Sequence, residues 1–334
     1  MTGASESPRW RDAEPATFAG TILAAAEQLG VQALAVEKDY WVCEALRAIT
    51  RAHPCEIVFK GGTSLEKLRI IRRFSEDLDL LVVGSYESNR ATERALKAMI
   101  KLAADAAGGE LHDGRSGGKP GTFHRSGYLT PPLEHSAASD AIADAKAVLV
   151  ELGQAGGPNP SSTRTVASLL SRQLAAAGFD VDPWHDLAPF EVSVLHPGRT
   201  LIEKLLRVNN FACDPALHES THGWPRIGRQ FYDIWALLGA DEVHHLLADA
   251  ETTSAIVASC FEVSRAFEPD RPIPDGGFAG SPAFEPDGPF TRRLRIEHDA
   301  AMRDLYYGTD TPPTFDDVLA RVHLHARLLD IRTD

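Results

Sequence analysis

The sharpest constraint on this chain lies between Glu56 and Val83. A short β-type run, Glu56-Ile57-Val58-Phe59, leads into Lys60-Gly61-Gly62-Thr63-Ser64; a short helical stretch from Leu65 to Ile71 follows, and then a second β-type run, Asp77-Leu78-Asp79-Leu80-Leu81-Val82-Val83. Two glycines followed by hydroxyl residues and a helix former make a tight strand-to-helix turn. Side chains at i and i+2 of a strand share a face, so Asp77 and Asp79 are expected to project together. Two carboxylates that close are costly unless a cation sits between them. Hard oxygen ligands at this spacing suit Mg²⁺, with Mn²⁺ as an alternative, which keeps waters and borrows further ligands from phosphates. At Gly61 and Gly62 the missing Cβ lets backbone approach a polyphosphate, and N–H groups at a helix N-terminus attract anions. Ser64 or Thr63 is then expected to donate to a phosphate oxygen. Either motif alone is common, the glycines as a plain turn and the aspartates as an exposed strand end; together, at this distance, they are far more specific.

Around this unit the periodicity predicts helices over 17–29, 37–52, 88–106 and 166–176, and strands over 147–152 and 190–195. Residues 1–15 read as a flexible tail, and 107–121 and 153–164 as loops. From Thr200 onward the strand signals fade and helical spacing takes over. The Pro/Gly/Phe stretch 267–290 is irregular, and Ala-Phe-Glu-Pro-Asp occurs at 266–270 and again at 283–287, a pair of similar turns rather than a repeat architecture. The expected fold class is α+β: an α/β part over 1–200, and a mostly helical part over 201–334 that completes a cleft.

Composition excludes several classes. Of 334 residues 43% are hydrophobic and 24% charged, an ordinary globular balance with enough apolar residues for a sizeable core. With 34 Lys plus Arg against 47 Asp plus Glu, the net charge is −13, which argues against a general nucleic-acid coat because the phosphate backbone rewards a basic surface. Any nucleic-acid contact must use a local basic patch. Four scattered cysteines without a CxxC pair suit a reducing cytosol. The N-terminal residues carry no apolar signal core, and no apolar stretch approaches membrane-spanning length, so a cytoplasmic protein without a membrane partner is expected. His244-His245 are adjacent and His323/His325 lie at i, i+2, so neither is a helical zinc pair, and no Ser–His–Asp or Cys–His signature appears.

The strand–GGTS–helix unit followed by a DxD strand resembles the nucleotidyltransferase superfamily. Glu37-Lys38-Asp39-Tyr40-Trp41, FKGGTSL (59–65), RFSEDLDL (73–80), RTLIEKL (199–205) and RQFYDI (229–234) narrow that resemblance to the AbiEii/AbiGii toxin family, which includes the MenT toxins. The similarity spans roughly residues 35–240. One departure is Gln230, where the family often has His. The resemblance implies a toxin of a type IV toxin–antitoxin system that transfers nucleotides from a nucleoside triphosphate (NTP) to the 3′ acceptor end of tRNA, and it implies a cognate antitoxin encoded nearby.

In-line nucleotidyl transfer attacks the α-phosphorus with a hydroxyl and expels pyrophosphate, and two metals can hold both attacking and leaving oxygens. Asp77 and Asp79 would hold them. A third carboxylate comes from Glu151 or Glu191; Glu151 is preferred because its strand lies where the family carries its third acidic strand. Lys204, one residue off an apolar helical stripe, reaches toward the site to neutralise triphosphate charge. Arg199 begins the same element and would clamp a phosphate or cap a strand end. Arg229 and Asp233 lie at i and i+4, so a plain helix ion pair competes with a reading in which Asp233 faces the catalytic centre and orients Lys204 or Arg229. Lys60 joins the nucleotide-binding group.

Cations concentrate near these motifs: Lys60, Lys67, Arg69, Arg72 and Arg73, then Arg199, Lys204, Arg207, Arg226 and Arg229, then Arg292, Arg293 and Arg295. They would form a basic mouth on an acidic body, unless they pair with the many acids. Two further readings remain: a transferase acting on a protein hydroxyl or a small molecule, and a non-catalytic NTP-binding interaction module.

Overall fold

Alternating burial along the strands gives a mixed sheet two unlike faces. In the computed structural model, described for residues 7–112, 117–119, 123–136, 144–154, 156–214, 223–264, 272–308 and 310–331, the strands are β1 (Ile57–Lys60), β2 (Asp77–Val82), β3 (Glu110–Leu111), β4 (Gly117–Lys119), β5 (His124–Thr130), β6 (Val148–Gly153), β7 (Ser161–Val166) and β8 (Phe190–Leu195). They run in the order β3-β5-β6-β2-β1-β8-β7, with β4 paired to β5. The centre is mixed: β1 and β2 are antiparallel, while β2–β6 and β1–β8 are parallel. Together with the helices this is the expected α+β fold.

One face of the sheet is apolar. Ile57, Phe59, Leu78, Leu80, Val148, Val150, Leu152, Val192 and Val194 join a single core cluster with α2 (Pro15–Leu29), α3 (Ala33–Ala52), α5 (Asn89–Ala106) and α6 (Leu169–Ala176). The alternate positions of the central strands, Lys60, Asp77, Asp79 and Glu151 among them, therefore lie on the other face. That face looks toward a second core built from α7 (Pro197–Cys213), α8 (Gly223–Leu237), α9 (Asp241–Leu247), α10 (Ala250–Ser264), α11 (Thr291–Leu305) and α12 (Phe315–Leu324). Two residues that follow or belong to the GGTS helix α4 (Gly61–Lys67), Leu65 and Ile71, join this second cluster and tie the halves together. The division expected at residue 200 falls inside α7, whose apolar side chains belong to the second core.

Several local readings change, among them the loop expected over 107–121, which holds the short strands β3 and β4. Residues 10–13 form a helix, α1 (Trp10–Ala13), rather than flexible tail; Trp10 is buried, and the Asp186 carboxylate accepts from its backbone N–H at 2.8 Å. The expected loop over 153–164 runs into β7 at Ser161, an edge strand whose Ser, Thr and Arg side chains are mostly exposed, so no apolar alternation marks it. The helix expected from Val166 begins at Leu169, because the Ser168 hydroxyl caps it by accepting from Ser171 N–H at 3.1 Å. The first Ala-Phe-Glu-Pro-Asp copy lies outside the described residues; the second is partly a short 3₁₀ turn at Pro282–Phe284. Among the described residues no single helix is long and apolar enough to cross a membrane.

Candidate active site

The register of three strands builds an acidic wall. Asp79 of β2 pairs with Lys60 of β1 on one side and with Glu151 of β6 on the other. Asp77, two residues back, shares their face. These four residues line a cleft of about 450 Å³ with Gly61, Gly62, Arg73 and Ser75. The opposite wall is helical: Thr200, Glu203, Lys204 and Arg207 follow one face of α7, and Arg226, Arg229 and Gln230 one face of α8.

The turn explains its two glycines. Gly61 has φ +79°, and a Cβ there would collide with the Asp79 carboxylate. A Cβ on Gly62 would lie 2.7 Å from Arg73 Nη2. Close approach to Asp79 and Arg73 therefore requires glycine at both positions, whatever a phosphate later does there. The hydroxyls of Thr63 and Ser64 depart from expectation: neither lines the cleft, and both are buried. Thr63 Oγ1 donates to the Asp77 carbonyl and lies 3.0 Å from Ser75 Oγ, while Ser64 Oγ donates to the Gly61 carbonyl at 2.8 Å. They brace the turn, and on the sheet side the hydroxyl that lines the cleft is that of Ser75. Its signal was present in Ser75-Glu76-Asp77-Leu78-Asp79, where i, i+2 and i+4 share a side.

Electrostatics mark the acidic wall as under-compensated. Burial pushes the Asp79 carboxyl up to about 7; Lys60 opposes the rise, and Glu151 and Asp77 add to it. Burial also raises Asp77, against the pull of Arg229, whose Nη2 lies 3.7 Å from Asp77 Oδ2. Glu151 is held below the usual carboxylate range first by His124, whose Nε2 is 3.6 Å away. Neighbouring carboxyls pushed in opposite directions titrate as a pair that shares a proton. Three carboxylates are the donor type a hard divalent cation takes, although among the described residues no three His, Cys, Asp or Glu side chains converge as they stand into a metal-holding group. The alternative third carboxylate, Glu191, lies apart: it pairs with Thr165 near the start of β8, is exposed, and does not line the cleft.

Behind the helical wall sits a buried triad. Asp233 receives both Arg73 Nε (2.6 Å) and Nη2 (2.7 Å), and Lys204 Nζ lies 2.7 Å from its Oδ2. Burial alone would raise Asp233, but Arg73 and Lys204 overcome it and hold the carboxyl down to about 2. Lys204 also donates to Gln230 Oε1 at 2.7 Å, and burial lowers its pKa. Asp233 thus pairs with Lys204, and its second partner is Arg73 rather than Arg229. Asp233 does not itself line the cleft. Gln230, the family departure, serves as acceptor for the lysine.

Arg199 is not at the cleft. Its guanidinium bonds the Asn159 carbonyl (2.8 Å) and Ser259 Oγ (3.1 Å) and approaches Glu203 at 3.4 Å, so it pins the 156–160 segment to α7 and α10. The basic mouth is smaller than the sequence suggested. Lys67 is buried against Asp39, Arg72 pairs with Asp310, and Arg295 with Asp316, while Lys60, Lys204, Arg207, Arg226 and Arg229 do line the cleft.

Comparison with curated proteins returns no match. The profile described as nucleotidyl transferase AbiEii toxin, type IV toxin–antitoxin system, matches residues 44–321, a span that holds every side chain of the cleft. The paired Asp77 and Asp79, the glycine turn and the Lys204–Asp233 pair thus fall within one family's matched region, and the chain belongs to the AbiEii family of nucleotidyltransferase toxins.

Proposed function

We propose that this chain uses Mg²⁺ to transfer nucleotides from an NTP to the 3′ acceptor end of tRNA in the cytoplasm, blocking aminoacylation and hence translation, and that an antitoxin encoded beside it restrains it. The observation that carries this reading is the facing of two walls across one cleft: Asp77, Asp79 and Glu151 on the sheet, and Lys204 and Arg229 on the helices.

Asp77, Asp79 and Glu151 would hold the divalent ion. Bound there, such an ion would supply Lewis-acid stabilisation of the charge that develops on the attacking and leaving oxygens. Lys204, pre-aimed by Asp233 and Gln230, contributes a fixed positive charge where negative charge develops. Arg229 bridges toward Asp77 and is placed to move onto a phosphate oxygen. Gly61 and Gly62 leave room at the mouth of α4, and Lys60 steadies Asp79.

The test incubates the protein with tRNA, Mg²⁺ and each labelled NTP in turn. Label is expected at the tRNA 3′ end from at least one NTP, and not with Asp77→Ala. No transfer from any NTP, or transfer undiminished in the variant, overturns the reading. Label on a protein or a small molecule instead would redirect the acceptor while keeping the chemistry.

A further inference from the structure

The cations that line the cleft are not equally engaged. Lys60 stands opposite Asp79 in the strand register, Arg73 and Lys204 are bound by Asp233, and Arg229 sits beside Asp77. Arg207 and Arg226 are different. Both line the cleft and are exposed, and among the described residues no carboxylate lies within ion-pair distance of either guanidinium. A third group on the same wall is also unsatisfied. Thr200 is 2% exposed, its Oγ1 has no hydrogen-bond partner among the described residues, and it lines the cleft one and two turns before Lys204 and Arg207. A buried hydroxyl without an acceptor is uncommon enough in a folded protein to need a reason.

From these three groups we propose a phosphate subsite on the helical wall, formed by Thr200, Arg207 and Arg226. The Arg226 guanidinium also acts at longer range on Asp77 and Glu151 across the cleft, without pairing with either. The geometry comes from helical spacing. Thr200 and Arg207 lie two turns apart on one face of α7, and Arg226 comes from the first turn of α8, which packs against it. Two guanidiniums and a hydroxyl offer donors and no competing acceptor charge of their own, which suits a phosphate group. Glu203, the acid on the same face of α7, is drawn toward Arg199 at 3.4 Å and contributes to the field at Lys60, so it is engaged at the sheet side of the wall.

This inference rests on the cleft being the nucleotidyl-transfer site. The same phosphate chemistry has two sources, the triphosphate tail of the NTP and the phosphodiester backbone of the acceptor strand. Either would lie along a wall whose cations are unspent once the carboxylates are neutralised. The acceptor strand would explain how a chain of net charge −13 grips nucleic acid, with few contacts at one place.

The experiment uses the full chain and two probes, inorganic tripolyphosphate and an RNA oligonucleotide with a free 3′-hydroxyl, measured by calorimetry and by salt titration. Variants are Arg207→Ala, Arg226→Ala, their double, Thr200→Val and the rescue Arg226→Lys. Both arginines are exposed, so their removal is expected to leave the thermal melt unchanged, and Thr200→Val keeps the shape of the side chain. If the subsite takes nucleotide phosphates, the double variant binds tripolyphosphate at least tenfold more weakly, with oligonucleotide affinity retained. If it takes the acceptor backbone, oligonucleotide affinity falls at least tenfold, and the salt slope drops by about 0.7 per arginine removed, the single-strand value. Arg226→Lys recovers part of either loss. Unchanged binding of both probes in the double variant overturns the subsite. Neither probe requires turnover, so a wild-type chain that binds them through Arg207 and Arg226 yet transfers no nucleotide would refute the proposed activity and leave the subsite standing.

Discussion

The sheet separates two clusters of charge that obey opposite rules. Behind it, α3 buries three consecutive charged residues. The Glu37 carboxylate accepts from the backbone N–H groups of Glu134 and His135; Lys38 binds Glu76 and the Asp144 carbonyl; Asp39 binds Lys67 and caps α6 by accepting from Leu169 N–H at 2.6 Å. Glu66 completes the group, held by Lys67, Arg172 and the Tyr307 hydroxyl. Every charge there faces an opposite charge or a backbone dipole. In the cleft, three acids crowd the sheet wall with Lys60 among them, and four cations crowd the helical wall with Glu203 among them. The rear cluster is a saturated network that fixes the frame carrying β2 and α4. The front one is left open for what a ligand supplies. An unbalanced cluster that persists in a folded chain therefore points to function more sharply than a balanced one of equal size.

Breaking one member of each cluster should separate these roles. Asp79→Asn is expected to lower nucleotidyl transfer by about a thousandfold or more, the scale of removing a group central to transition-state charge. Its melting temperature should stay level or rise, because a carboxyl already raised by burial and by its acidic neighbours is neutralised. Asp39→Ala should do the reverse. It strands Lys67 in the interior with only Glu66 to face it and strips a cap from α6, costing about 3–5 kcal/mol in denaturant unfolding. Activity per folded molecule should be retained. Equal loss of stability in the two variants would erase the distinction.

The acid limb of stability sharpens the comparison at the border between the clusters. Asp233 is buried like the rear group yet positions Lys204 of the cleft. Its carboxyl is held to about 2, below the ordinary value of 3.8. A carboxylate depressed in the folded state stabilises above its unfolded pKa, and the contribution is lost as pH falls through the folded one. Stability from Asp233 should thus be complete above about pH 4 and fade between pH 4 and 2, a difference on the order of 2 kcal/mol. Asp233→Asn should unfold more easily at neutral pH and show a flatter loss across that window. A variant that follows the wild-type limb in parallel would assign the acid transition to other groups.

What was legible in the sequence was local. Asp77 and Asp79 share a face by strand period, and the glycine turn follows from its own residues. Glu151 was one of two carboxylates on apolar strands, and the family resemblance, not the local pattern, favoured it over Glu191. What was not legible depends on partners far along the chain. Lys38 finds Glu76, Asp39 finds Lys67 and Leu169, and Arg73 finds Asp233. No local pattern tells a Glu-Lys-Asp run that is buried from one that is solvated. Arg199 misled for the same reason: beside a cleft residue in sequence, it points its guanidinium at Asn159 and Ser259. The strand β5 and the edge strand β7 escaped because half-exposed strands rich in Ser, Thr and Gly carry little apolar alternation.

The smallest expected effect concerns Thr63, which the sequence places beside a phosphate and the structure places in the frame. Its Oγ1 reaches the Asp77 carbonyl and Ser75 and is closed off from the cleft by burial. Thr63→Val keeps the branched shape and removes only the donor, so it should cost about 1 kcal/mol in unfolding. The KM for NTP should be unchanged, whereas Ser75→Ala, at the hydroxyl that does line the cleft, should raise it. A rise in KM for Thr63→Val without loss of stability would mean that the hydroxyl turns outward when nucleotide binds. Thr63 would then belong to the open cluster rather than the saturated one.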